Sequence, residues 1–189
     1  GGAAQVQSPN PSISQSLNRL TDKFGRPITD LRIAITDRCN YKCVYCRTGN
    51  QGALYAELPF ADYLRMARVF TALGITKVRI TGGEPLLRHG IERLVAMIAS
   101  TGVDLAVTTN GIRLVDLAET LRAAGLGRVN VSLDTLDPDT FERLTRRAEL
   151  DRTIAGIDAA VAAGLAPVKV NAVIVRGVND HEVVDLAAF

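Results

Sequence analysis

Cysteine is scarce in this sequence: three residues among 189, all inside CNYKCVYC at positions 39–46. An odd number confined to one short stretch does not make a secreted disulfide framework, and a reducing, cytoplasmic compartment is expected instead. Charge of one sign is lacking too, since the net charge is only +2. Bulk electrostatics therefore does not point to nucleic acid or a membrane surface. No apolar run approaches the roughly 20 residues a membrane span needs. The opening GGAAQVQSPNPSISQ has no charge, no apolar signal core and no transit-peptide arginines. It reads as a disordered leader over 1–17, with 18–189 as one domain. An initiator Met is also missing, which fits a processed or excised piece.

What remains alternates. The strand candidates are LRIAIT (31–36), KVRIT (77–81), DLAVTT (104–109), RVNVSL (128–133) and PVKVNAVIV (167–175). Between them the apolar spacing follows three and four over 60–73, 90–100, 114–124 and 138–163, which predicts helices. Gly74, Gly102, Gly125 and Gly164 stand where those helices should stop. Strands separated by helical crossovers imply parallel βα units, hence a doubly wound sheet or a barrel.

The strand faces separate these two. Residues two apart share a face. Arg32, Ala34 and Thr36 oppose Ile33 and Ile35, and Arg79 and Thr81 oppose Val78 and Ile80. Thr108, Ser132 and Lys169 continue the polar face of the later strands. A sheet covered on both sides would be apolar throughout, so a curved α/β barrel with a wet or ligand-filled interior fits better. Arg32, Arg79 and Lys169 would then stand inside it. Buried unpaired cations are costly, so an anionic, phosphorylated ligand is expected among them. The alternative is that these cations reach the rim and are solvated.

Polar motifs fall at the carboxyl ends of the same strands: the cysteines after the first, GGEP after the second, TTNG after the third, SLD closing the fourth. In parallel βα folds these ends form one mouth, where chemistry gathers. Three thiolates suit zinc, copper(I) or an iron–sulfur cluster. Structural zinc takes four ligands, and of the two histidines His89 could in principle supply a fourth. A 4Fe–4S cluster on three thiolates leaves one iron open. Spacing alone leaves both readings standing. Asn110 and Asp134 read as residues that shape strand-end turns, and His89 and His181 as surface or capping residues.

Cys39-x-x-x-Cys43-x-x-Cys46, with Tyr45 before the last cysteine, resembles the signature of radical S-adenosylmethionine enzymes, and GGEP resembles their methionine-binding turn. Within that superfamily, LRIAITDRCNYKCVYC, KVRITGGEPLLR, AVTTNG, NVSLDTLDPDTF and VKVNAVIVRGVND are similar to the GTP 3′,8-cyclase family of molybdenum cofactor biosynthesis. The resemblance implies a lyase on a partial (β/α)6 barrel, here reaching only five strands. It implies that Cys39, Cys43 and Cys46 hold a 4Fe–4S cluster, and that Tyr45, Gly83, Glu84 and Ser132 contact S-adenosylmethionine. Arg32, Arg79, Thr108 and Lys169 would contact GTP. A 5′-deoxyadenosyl radical would take hydrogen from ribose C3′, which then attacks C8 to give 3′,8-cyclo-7,8-dihydro-GTP. A reducing electron donor, a homodimer, and a second cluster in a C-terminal region absent from this chain are further implications. A chain that binds cluster and S-adenosylmethionine without cyclase activity of its own is the competing expectation. Related enzymes often carry Gly where Arg146 stands, and the segment Arg47 to Glu57 departs from their pattern.

Overall fold

Alternating Val, Ile and Leu residues make each strand two-faced, and five strands form where they are predicted. The computed structural model describes residues 19–46 and 56–189, so the expected leader and most of the Arg47–Glu57 segment lie outside the described residues. The strands are β1 (Asp30–Ala34), β2 (Lys77–Thr81), β3 (Asp104–Thr109), β4 (Arg128–Ser132) and β5 (Lys169–Asn171). The helices are α1 (Phe60–Ala72), α2 (Ile91–Ala99), α3 (Leu114–Ala123), α4 (Pro138–Thr145), α5 (Leu150–Ala162) and α6 (Val183–Ala188).

All pairings are parallel, and the spatial order is β1-β2-β3-β4-β5. A doubly wound sheet would reverse its order partway. Consecutive order with same-handed crossovers winds the chain in one direction and lays the helices on one face. Ile33, Val78, Ile80, Leu105, Val107, Val129 and Val131 are buried on that face. The helices meet them with matching stripes: Ile91, Leu94, Val95 and Ile98 of α2 are all buried at helical spacing. Each such side chain contributes about 1.5–3 kcal/mol. The opposite face is polar and open toward its edges: Arg32, Ala34, Ser132, Lys169 and Asn171 are exposed and Arg79, Thr81 and Thr108 half-buried, while Ala106 and Asn130 at its centre are buried.

Two expectations are corrected. The stretch 138–163 is not one helix but two, α4 and α5. Asp137 caps α4 by accepting from Thr140 N at 2.8 Å, with Pro138 in its first turn. The helix then stops at Arg146, which takes the left-handed conformation at φ 61°. A side chain there costs about 1–2 kcal/mol, against about 0.5–1 kcal/mol of extra chain freedom for glycine. Arg146→Gly is therefore expected to leave stability unchanged or raise it by up to about 1 kcal/mol, as thermal unfolding will show.

The nine-residue run PVKVNAVIV yields a strand of only three residues. Past Asn171, side chains take over the backbone donors. Asp134 Oδ1 accepts from Val173 N at 2.8 Å, and Asn179 Oδ1 from Val175 N at 2.7 Å. No described helix is long and apolar enough to cross a membrane.

Candidate functional site

The loop carrying the cysteines leaves β1 and is held from two sides. On the β2 side, Thr36 O accepts from Gly83 N at 2.8 Å and Arg38 O from Glu84 N at 2.7 Å. On the α4 side, Lys42 N donates to Thr145 O at 3.0 Å and Val44 N to Leu144 O at 2.9 Å. The left-handed turn at Arg146 presents Arg147, whose Nε donates to Asn40 O at 2.7 Å. Buried Tyr41 anchors the middle, edge-on to Phe141 and within 3.0 Å of Thr153 Oγ1.

This clamp makes one side of a cavity of about 180 Å³. Cys39, Cys43, Tyr45 and Cys46 line it from the loop, Gly83 and Glu84 from the β2 turn, Thr108 from β3 and Ser132 from β4. The expected convergence of strand-end motifs at one mouth is thus what the fold produces. Sequence reading underrated two residues here. Asp134, also lining the cavity, accepts from the Tyr45 hydroxyl and so ties the cysteine loop to the end of β4. Asn110 Nδ2 donates to Asn40 Oδ1 at 2.7 Å and ties the same loop to β3. Their only signal in the sequence is a position just past a strand.

Gly83 is required for a reason the sequence does not reveal. A Cβ on it would stand 2.3 Å from Arg38 O and 2.8 Å from Asp37 O. At Gly82, with φ +146°, it would stand 2.2 Å from Thr36 O. The glycine pair lets the β2 turn lie directly on the backbone that leads into Cys39.

Glu84 is fully buried. Its Oε1 accepts from Leu86 N at 2.9 Å and Thr109 Oγ1 at 2.8 Å, and its Oε2 from Asn110 N at 2.7 Å. It therefore joins the β2 turn to the β3 turn. Burial pushes its carboxyl up to about 7 from 4.5, against the three hydrogen bonds, which lower it. A folded-state value above the unfolded one means stability that is complete below the unfolded pKa and lost as pH rises through the folded one. The loss is on the order of 3 kcal/mol between about pH 4.5 and about pH 7. Glu84→Gln is expected to flatten that slope while lowering stability at acidic pH by about 1–3 kcal/mol, since an amide cannot accept all three bonds. Urea unfolding of the iron-free chain at about pH 5 and about pH 8 measures both effects.

No disulfide joins the cysteines, and all three are half-buried. Burial raises the Cys39 thiol above its usual range and pushes Cys43 up to about 11. Soft donors that must lose a proton to bind suit a metal or cluster. Among the described residues, no three His, Cys, Asp or Glu side chains converge on a single ion position, and His89 is exposed. Three thiols lining one cavity are the donor set that a 4Fe–4S cluster with one open iron takes.

The expected substrate residues do not all gather there. Thr108 lines the cysteine cavity, whereas Arg32 and Arg79 line a separate hollow of about 170 Å³ with Asp30, Lys77 and Arg128, the last paired with Asp104. Arg32 and Arg79 are register partners on β1 and β2, and Lys169 stands on edge strand β5. The premise that these cations are buried is corrected, because Arg32 and Lys169 are exposed and Arg79 half-buried. Five strands leave the inner face open to water, which removes the desolvation cost. Among the described residues no carboxylate forms an ion pair with any of the three.

The chain is 52% identical over 180 residues to the GTP 3′,8-cyclase of Acidothermus cellulolyticus, covering 90% of this chain and 50% of that protein. It is 50% identical over 173 residues to the GTP 3′,8-cyclase of Geobacter sulfurreducens, covering 89% of this chain and 53% of that protein. The chain thus spans about half the length of the curated relatives it matches. Among solved structures it resembles Streptococcus suis SuiB bound to S-adenosylmethionine, with a TM-score of 0.71, 25% identity, and coverage of 84% of this chain and 37% of that one. Methylornithine synthase (PylB) shares the fold at a TM-score of 0.66 and 18% identity, over 84% of this chain and 48% of that one. Residues 33–189 match the profile of the radical SAM superfamily, and the chain belongs to that superfamily.

Proposed function

We propose that this chain forms the half of a GTP 3′,8-cyclase that holds the radical-generating 4Fe–4S cluster and S-adenosylmethionine. The observation that carries this reading is the single cavity shared by Cys39, Cys43, Cys46, Tyr45, Gly83, Glu84 and Ser132 at the carboxyl ends of the strands. The relatives named GTP 3′,8-cyclase, at about 50% identity, support GTP as the substrate. The three thiolates would each hold one iron, which would leave the fourth iron for a small molecule. When bound, the cluster and S-adenosylmethionine supply a 5′-deoxyadenosyl radical after one electron arrives from a reductant. The Gly82–Gly83 turn gives backbone to the methionine end, Ser132 a hydroxyl, and Tyr45 its main chain beside the last cysteine. Arg32, Arg79 and Lys169, which form no ion pair among the described residues, would hold the triphosphate, and Thr108 would contact GTP from the cysteine cavity.

A second reading has its own support: with the hollow that holds Arg32 and Arg79 apart from the cysteine cavity, this chain would bind the cofactors without completing the reaction. Anaerobic reconstitution with iron and sulfide, followed by dithionite, S-adenosylmethionine and GTP, separates the two. Release of 5′-deoxyadenosine with cyclised GTP supports the cyclase, and 5′-deoxyadenosine alone supports the cofactor-binding module. Stoichiometric zinc with no iron–sulfur absorption overturns both.

A further inference from the structure

The arginine that follows the β2 turn plays no part in the chemistry above, yet it is among the most engaged side chains in the molecule. Arg88 is buried, with its guanidinium 4.7 Å from the Phe60 ring centroid and 5.2 Å from that of Tyr63. Its Nη1 donates to Ile35 O at 2.6 Å and to the Tyr63 hydroxyl at 3.2 Å, and its Nη2 donates to Leu58 O. Its Nε lies 3.5 Å from Glu57 Oε2. The other oxygen of Glu57 accepts from Thr36 Oγ1 at 2.7 Å and from Arg38 Nε and Nη2 at 3.0 and 2.7 Å. A planar fork that satisfies several acceptors at once is an arginine property, which lysine's single ammonium cannot reproduce.

The residues so fastened matter for their place. Ile35, Thr36 and Arg38 form the backbone between β1 and Cys39, and Thr36 O and Arg38 O receive the amides of Gly83 and Glu84. Arg88 stands just past that same turn, so it grips both partners of the contact. We propose that Arg88, acting with Glu57, is a positioning residue that fixes the cysteine loop against the Gly82–Glu84 turn and so sets the gap between the first thiol and the methionine end. It touches neither cysteine nor cavity; its effect passes through Ile35, Thr36 and Arg38. For cofactor binding, the inference rests on the function proposed above.

Amide hydrogen exchange on the iron-free chain tests the brace by itself. In Arg88→Lys, the Gly83 and Glu84 amides are expected to exchange about 10-fold faster, while those of Val107 and Val129 in the sheet core keep their rates. Glu57→Gln, at a partly exposed position, should shift the same two amides by a few-fold, and the double variant should be no worse than Arg88→Lys alone. Unchanged rates at Gly83 and Glu84, or an equal rise across β3 and β4, would overturn the proposal by leaving Arg88 only a general role in stability. The reconstituted proteins then extend the test to the cofactor. With iron content equal to wild type, Arg88→Lys should bind S-adenosylmethionine about 10-fold more weakly by equilibrium dialysis, and equal affinity would overturn the claim that the brace sets the site. Should the wild type itself take up cluster but no S-adenosylmethionine, the functional reading fails while the exchange result still decides the brace.

Discussion

Gly83→Ala is expected to lower stability by about 2–4 kcal/mol and to cost at least about 10-fold in S-adenosylmethionine binding. The added methyl would stand 2.3 Å from Arg38 O, 2.7 Å from Arg38 C and 2.8 Å from Asp37 O. These are backbone atoms, so no rotamer change relieves the contact. The β2 turn and the cysteine loop must separate, and the first bonds to stretch are Gly83 N to Thr36 O and Glu84 N to Arg38 O. Glu84 would be drawn with the turn, straining its bonds to Thr109 and Asn110. Gly102→Ala is the natural control. That glycine has φ +81° with nothing within 4 Å of a built Cβ, so its replacement costs only the backbone penalty of about 1–2 kcal/mol. Urea unfolding of the two variants side by side separates contact from conformation. Equal losses would show that the turn can yield, and that the glycine pair does not set the loop.

How much of this was legible beforehand depended on the range of the interaction. β2 and β3 begin and end at the predicted residues because each is a short two-period run with neighbours on both sides. β5 pairs only with β4, and beyond Asn171 Asp134 and Asn179 outcompete a ladder that has no second partner. The break at Arg146 carried no glycine or proline to announce it. The α4–α5 turn is instead held by Thr145, whose hydroxyl donates to Phe141 O at 2.8 Å and accepts from Arg147 N at 3.2 Å. For the site, chain order and strand ends sufficed to gather the cysteines, Gly83, Glu84, Thr108 and Ser132. Alternation also put Arg32, Arg79 and Lys169 on the inner face. It could not say whether they are buried, because burial depends on how far the sheet closes. The Tyr45–Asp134 and Arg88–Glu57 contacts join distant segments and left no local pattern to read.

Replacing any one of Cys39, Cys43 or Cys46 with serine is expected to reduce reconstituted iron from about four atoms per chain to well under one. The three thiols line one cavity from one loop, and the described residues offer no further His, Cys, Asp or Glu grouping to substitute for a lost ligand. A hydroxyl is the same shape but a harder donor, which ionises far less readily than a thiol. The loop should survive the change, since Lys42 N, Val44 N, the Tyr41 hydroxyl and Arg147 fasten it, and the Tyr41 N to Cys39 Sγ bond of 3.4 Å can pass to a serine hydroxyl. Each variant should therefore keep the wild-type circular dichroism and lose only the iron–sulfur absorption, which separates ligand loss from unfolding. His89→Ala, at an exposed position, should load iron like the wild type. Full iron in a cysteine variant would move the metal away from the loop, and a loss of iron in His89→Ala would give the site a fourth protein ligand. In that second case the open iron that S-adenosylmethionine requires would be closed, and the radical reading would fail with it.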